Sequence, residues 1–146
     1  MNYVFSTKNP LRYEFPTHIN DLVMDRAEAQ TSELFVVVVR PGKGAPLHKH
    51  DDTEQIFYVL KGKGSLVIEG EKKAFEVNPS DVVRVPPRTK HTIKCLGDSD
   101  LVYLAIDCFI GGRPAAEPTW DSHVKVMCRE QGFDYDKIIA AQKAKR

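Results

Sequence analysis

The chain has 146 residues and a mass of 16.5 kDa, of which 42% are hydrophobic and 28% charged. That length fits one domain of roughly 100–200 residues and leaves no room for a second catalytic domain. With 21 basic against 20 acidic side chains, it lacks the excess positive charge that a nucleic-acid partner would attract, and it is not an acidic disordered polymer. The longest apolar stretch, Leu34 to Val39, is far shorter than the about 20 residues that span a bilayer, and Met1 to Pro10 has no apolar signal core. A cytoplasmic protein without a membrane partner is therefore expected. Cys95, Cys108 and Cys128 are odd in number and lack CxxC spacing, so they read as reduced, buried thiols rather than disulfide or zinc ligands.

In chain order, residues 1–32 read as a segment packing on the main domain or on a partner, and His18 within it receives no role. From Glu33 to Arg40 the chain reads as a β-branched strand. Further strands follow at Gln55 to Leu60, Ser65 to Glu69, Lys73 to Val77, Val82 to Val85, His91 to Cys95 and Leu101 to Cys108. Each gap holds turn chemistry, such as Gly62-Lys63-Gly64, Asn78-Pro79-Ser80-Asp81 and Pro86-Pro87. Many short strands at even spacing predict a mostly β, antiparallel sandwich or barrel over residues 33–110. Val36 to Val39 and Ile56 to Leu60 are apolar on both faces, which predicts that the outer face is covered by the C-terminal tail or by a second copy in a homodimer. After Gly111-Gly112 the period changes to helical. Thr119 or Asp121 can cap a helix running to about Gln131 and stopped by Gly132, and Asp134 or Asp136 can cap another that ends in Lys143 to Arg146. Val124, Met127 and Cys128 form an apolar stripe on the first of these helices, which is expected to dock on the barrel. Residues 111–146 are thus a helical extension, and Trp120 and His123 are assigned to packing it.

Chemistry concentrates in His48-Lys49-His50. Two imidazoles two residues apart point to the same side of an extended chain and can chelate one ion. Glu54-Gln55 offers a flanking oxygen ligand, and His91 opens a distant strand just after the rigid Pro86-Pro87 turn. Histidines in strands are more often plain polar residues, so spacing alone favours the bland reading.

Gly42, five residues, His48-x-His50, an oxygen ligand and an apolar strand closing at Gly62 together resemble the first motif of the cupin superfamily. Pro79-Ser80-Asp81 through Pro86 to His91 resembles the second, and the resemblance covers about residues 33–109. It implies a small single-domain jelly-roll barrel with one divalent transition metal inside, held by two histidines and a carboxylate from the first motif and a histidine from the second. The family's carboxylate falls three or four residues after the second histidine, at Glu54 or Gln55. Counting back seven residues from Gly62, and sharing a face with Phe57 and Val59, favour Gln55. The resemblance therefore implies His48, His50, Gln55 and His91 as metal ligands, with Glu54 the alternative. The second motif departs from the family at Ser80 and Arg88, where glycines are usual, and at Cys95 in place of an asparagine, which places the turns at the rim in question.

A fully neutral ligand set leaves the ion's charge undiminished. That favours Lewis-acid chemistry over oxygen activation, which relies more often on an anionic ligand. Imidazole and amide donors suit zinc, nickel, iron, manganese or copper alike. The expected function is a metal-binding enzyme that isomerises, cyclises or cleaves a small polar carbonyl or sugar-acid-like substrate. The alternatives are an oxygen-dependent dioxygenase and a non-catalytic small-ligand sensor. Asp107, which shares a face with Tyr103 and Ala105, is the candidate proton carrier, with Tyr103 beside it; both also fit plain structural roles. Arg40 and Arg113 can hold a carboxylate but suit solvent better, and Asp51 and Asp52 suit an Asx turn.

Overall fold

The computed structural model describes residues 2–144. Two strands precede the region read as barrel, β1 (Leu11–Glu14) and β2 (Ile19–Met24), followed by a one-turn helix α1 (Arg26–Ala29). Then come β3 (Ser32–Val39), β4 (Thr53–Lys61), β5 (Lys63–Ile68), β6 (Phe75–Val77), β7 (Val82–Val85), β8 (His91–Leu96) and β9 (Leu101–Phe109), and finally helices α2 (Trp120–Gln131) and α3 (Tyr135–Ala144). A six-stranded sheet in the order β1-β2-β3-β9-β4-β7 faces a three-stranded sheet β6-β5-β8. The result is the mostly β jelly roll that the resemblance implies, with the C-terminal helices expected from the change of period after Gly112.

Register explains the interior. Side chains alternate along a strand, so cross-strand partners form rows on one face. Phe35, Ala105, Phe57 and Val83 make one inward row, and Val37, Tyr103 and Val59 the next. All seven are buried, as are Leu66, Val77, Ile93 and Cys95 of the small sheet. The third inward row is polar: Glu33, Asp107 and Gln55 stand side by side on β3, β9 and β4. Outward rows are apolar too, with Val36, Leu104, Tyr58 and Val82 in line beside Leu34, Ile106 and Ile56.

Gly62 makes the sharp corner between β4 and β5. Its φ is +79°, and a Cβ there would collide with the carbonyl of Asp100 and the Cα of Leu101, so only glycine fits. At Ser80 and Arg88, where the family motif prefers glycine, the backbone keeps φ of 78° and 61°. The turns are therefore retained and carry the cost of a left-handed non-glycine residue, about 1–2 kcal/mol each. They persist because Ser80 N–H donates to the Val59 carbonyl at 2.9 Å and Arg88 N–H to the His50 carbonyl at 2.7 Å.

The sequence reading assigned no strand before Glu33. β1 is short, and β2 buries Asn20 and Asp21 beside Ile19 and Leu22, which breaks the period-two signature. Asp21 tolerates burial because Arg12, directly across the ladder, grips it with two hydrogen bonds of 2.8 and 2.9 Å. Helix α2 starts as expected at Thr119, whose side chain and that of Ser122 form a reciprocal capping box, and stops at left-handed Gly132. It buries Trp120, Val124, Met127 and Cys128. The Trp120 ring lies 4.6 Å from Phe35 and 6.3 Å edge-on from Tyr13, so this helix closes one end of the barrel. Asp134 accepts a hydrogen bond from the Lys137 N–H at the start of α3; Lys145 and Arg146 of the expected basic end lie outside the described residues.

Candidate metal centre

The segment before β4 is zipped onto β8. His48 and His91 exchange backbone hydrogen bonds of 3.1 and 2.9 Å, and Thr92 Oγ1 donates to the Ala45 carbonyl at 2.6 Å. Cross-strand pairing thus brings His48 beside His91, and His50, two residues on, returns to the same side. The ring centroids of His48 lie 4.6 Å from His91 and 5.2 Å from His50. One ring nitrogen from each of the three can meet within 4.8 Å.

The tautomers are set by backbone. His48 Nδ1 lies 2.7 Å from the Pro46 carbonyl and His91 Nδ1 2.8 Å from the Thr89 carbonyl. A carbonyl only accepts, so both Nδ1 atoms carry the proton and both Nε2 atoms present a lone pair. Burial pushes all three proton affinities down: His91 to about 4, His50 well below its usual value, and His48 below it despite the Pro46 contact. Neutral imidazoles with a free Nε2 are the form a metal requires.

Gln55 joins them from β4. Its Nε2 donates to Asp107 Oδ1 at 2.8 Å. Asp107 accepts there, which turns Gln55 Oε1 the other way, where it is buried without a hydrogen-bond partner. Gln55 lines the same cavity as the three histidines. An orphaned amide oxygen beside three lone pairs fits a divalent cation. Glu54 has the opposite parity; it faces outward and pairs with Arg84 at 3.2 Å.

Asp107 and Tyr103 are buried and line the cavity as well. Burial, reinforced by the Asp107 carboxylate, raises the Tyr103 phenol, which stays protonated. Arg40 and Arg113 lie elsewhere: Arg40 sits 3.6 Å from Glu14, and Arg113 donates to the Ala27 carbonyl at 3.0 Å. A different arginine matters. Arg26 forms a fully buried fork with Glu33 at 2.7 and 2.8 Å and also donates to the Glu117 carbonyl. Burial and the neighbouring Asp107 push Glu33 up to about 8 against the pull of Arg26. Arg26 thus holds Glu33, and Asp107 stands beside Glu33 on the ladder, bonded to Gln55.

The cavity is small, about 60 Å³, and opens into a vestibule of about 270 Å³ that shares His48, His50, Asp107, His123, Met127 and Gln131 with it. His18, Asn20, Trp120, His123 and Gln131 also line the inner chamber, which corrects the expectation that His18 has no role and that Trp120 and His123 only pack the tail. Their signal lay in helical spacing: Trp120, His123, Met127 and Gln131 recur at three- and four-residue steps and so share a face. Glu33 was legible as well, since it has the inward parity of Phe35 and Val37.

Comparison with known proteins agrees with this geometry. The family model described as a cupin domain matches residues 35–107. The protein MJ1618 of Methanocaldococcus jannaschii is 39% identical over 71 residues, 49% of this chain and 55% of its own length. Glucose-6-phosphate isomerase of Thermococcus litoralis is 34% identical over 88 residues, 58% of this chain and 46% of its own length. This chain spans about half the length of these curated relatives. Among solved structures, the polyketide cyclase RemF of Streptomyces resistomycificus superposes with a TM-score of 0.66 at 20% identity, over 78% of this chain and 82% of that one. With the matched segment spanning half of the chain and carrying the three clustered histidines, the chain belongs to the cupin family.

Proposed function

We propose that this cupin is a metal-dependent enzyme performing redox-neutral chemistry on a small polar carbonyl compound. The observation that carries the reading is the orphaned Gln55 amide oxygen sharing one cavity with the lone pairs of His48, His50 and His91. When bound there, a divalent transition metal supplies Lewis acidity toward a substrate carbonyl or hydroxyl. All four donors are neutral, so none offsets the cation's charge, and this favours isomerisation, cyclisation or lyase chemistry over dioxygenation. An isomerase and a cyclase among the similar proteins support the same direction.

In this reading Asp107 is the proton carrier. Gln55 holds Oδ1 and orients the carboxylate toward the chamber, and Glu33 beside it on the ladder offers a second site for the proton. Tyr103, kept as a phenol, donates a hydrogen bond to substrate oxygen. Burial among Phe57, Phe35 and Trp120 excludes water and strengthens each polar contact. The apolar outer rows of the large sheet are read as the face that a second copy covers.

Elemental analysis of purified protein tests the centre. Wild type should hold about one divalent ion per chain, whether zinc, nickel, iron, manganese or copper, and His50→Ala almost none; equal occupancy would overturn the assignment. Turnover assays on hydroxyketones and diketones under nitrogen then test the chemistry. Product formed only with oxygen uptake would establish the dioxygenase reading, and saturable binding without product the sensor.

A further inference from the structure

Among the described residues, four buried side-chain polar atoms lack a hydrogen-bond partner: Asn20 Oδ1, Gln55 Oε1, Trp120 Nε1 and Gln131 Oε1. All four residues line the same chamber. A buried polar atom without a partner costs about 1–3 kcal/mol, so their collection in one cavity points to groups that bind something. Gln55 is accounted for at the metal centre. The other three come from β2 and α2, outside the family-matched residues 35–107. Asn20 and Trp120 are 4% and 1% exposed, and Trp120 is the chain's single tryptophan.

Their chemistry is specific. The indole N–H only donates, and the two amide oxygens only accept. A ligand that satisfies all three must offer one acceptor and at least two O–H or N–H donors, a demand that a polyhydroxy-carbonyl compound meets. Charge narrows the class further. The vestibule is lined by five carboxylates, Asp51, Asp52, Asp107, Glu117 and Glu130, against two cations. Arg26 is forked onto Glu33, and Lys49 pairs with Asp51 at the surface at 3.0 Å. His123 is likewise held by Glu117 at 2.7 Å. A phosphate or carboxylate on the substrate would meet no unpaired side-chain cation on entering, and would pass a surplus of negative charge.

We propose that Asn20, Trp120 and Gln131 form a neutral hydrogen-bonding clamp that orients an uncharged polyhydroxy-carbonyl compound against the histidine cluster, and that the site discriminates against phosphorylated and carboxylated analogues. This rests on the reading of the cavity as a substrate site and deepens it; it departs from the sugar-acid expectation, because an acid would have to pass the acidic lining of the vestibule. The inner chamber is small, about 60 Å³, so the rest of the ligand would lie in the vestibule.

Calorimetric titration of the full-length, metal-loaded protein with erythrulose, dihydroxyacetone phosphate and glycerate tests the clamp. Erythrulose should bind saturably, at least tenfold more tightly than either anion. Trp120→Phe, which keeps the ring packing and removes the N–H, and Gln131→Leu should each weaken erythrulose about five- to tenfold, the loss expected for one hydrogen bond. Thermal unfolding verifies that both variants fold, and their metal content should equal that of wild type. Anions binding as tightly as erythrulose, no binding of erythrulose, or unchanged affinity in both folded variants would each overturn the proposal. Wild-type protein that binds erythrulose yet holds no metal would sink the metal reading and leave the clamp standing.

Discussion

The side-chain amide of Gln55 has two unlike ends, and Asp107 uses one of them. Replacing Gln55 by Glu puts a second carboxylate within hydrogen-bonding range of Asp107 Oδ1, now 2.8 Å from the amide nitrogen. Like charges so close cannot both ionise in a buried site. Metal-free Gln55→Glu should therefore lose roughly 1–3 kcal/mol of stability, while the metal-loaded form regains it because the added negative charge faces the cation; denaturation with and without chelator reads both. Glu54→Gln, which removes only an exposed pair with Arg84, should change stability by less than about 1 kcal/mol and leave metal content alone. Loss of metal in Glu54→Gln would reverse the ligand assignment. The buried histidines also set an acid limit. His18 and His91 are pushed down to about 4, mainly by burial and secondarily by His48. Between pH 6.5 and 4 the unfolded chain therefore binds more protons than the folded one, so stability is full above about 6.5 and falls as the pH drops toward 4. Urea midpoints of the metal-free protein at pH 7 and pH 4.5 check this, and His18→Gln should shrink the difference. The candidate ligands were legible from spacing, parity and resemblance; the role of His18 at the cavity was not, because nothing local links residue 18 to residue 48.

At the scale of elements, α1 shows how a weak helix is held. Its four residues are too few to stand alone. Asp25 caps it by accepting from the Ala27 backbone N–H at 2.9 Å and also accepts from the Trp120 backbone N–H at 3.0 Å, which ties α1 to α2. Arg26 then anchors it to β3 through Glu33, with its guanidinium 4.7 Å from the Phe109 ring centroid. Arg26→Leu should leave Glu33 and Asp107 buried side by side without the guanidinium that Glu33 now holds, and should cost about 1–3 kcal/mol by chemical denaturation. A cost near zero would show that the pair contributes little. The strands of the barrel were readable because apolar alternation and flanking turn residues agree along each of them. The first two strands and α1 were not, since their stability comes from partners distant in sequence: Arg12 with Asp21 across a turn, and Arg26 with Glu33 and Glu117.

For the whole molecule, the outward rows Val36-Leu104-Tyr58-Val82 and Leu34-Ile106-Ile56 give the large sheet a second apolar face. Tyr58 and Val82 are exposed at 42% and 65%, which is unusual for a sheet that faces only water. Light scattering should give twice the 16.5 kDa chain mass, and Leu104→Lys should return the monomer mass with the fold kept by circular dichroism. A wild-type mass of one chain would refute the homodimer.

Local chemistry was enough to establish a β-barrel, its turns, the capped helix α2 and the histidine pair, because each depends on neighbours within a few residues. That Gln55 lines the cavity while Glu54 faces outward was also legible, from alternation along one strand. Three-dimensional packing settled what alternation cannot: that β2 and α2 line the chamber, that Arg26 is bound to Glu33 and so unavailable to a ligand, and that the orphaned polar atoms converge. Those outcomes depend on contacts between residues up to about a hundred positions apart, and such pairings are set by the free energy of the packed core as a whole, not by any preference written into a short segment of chain.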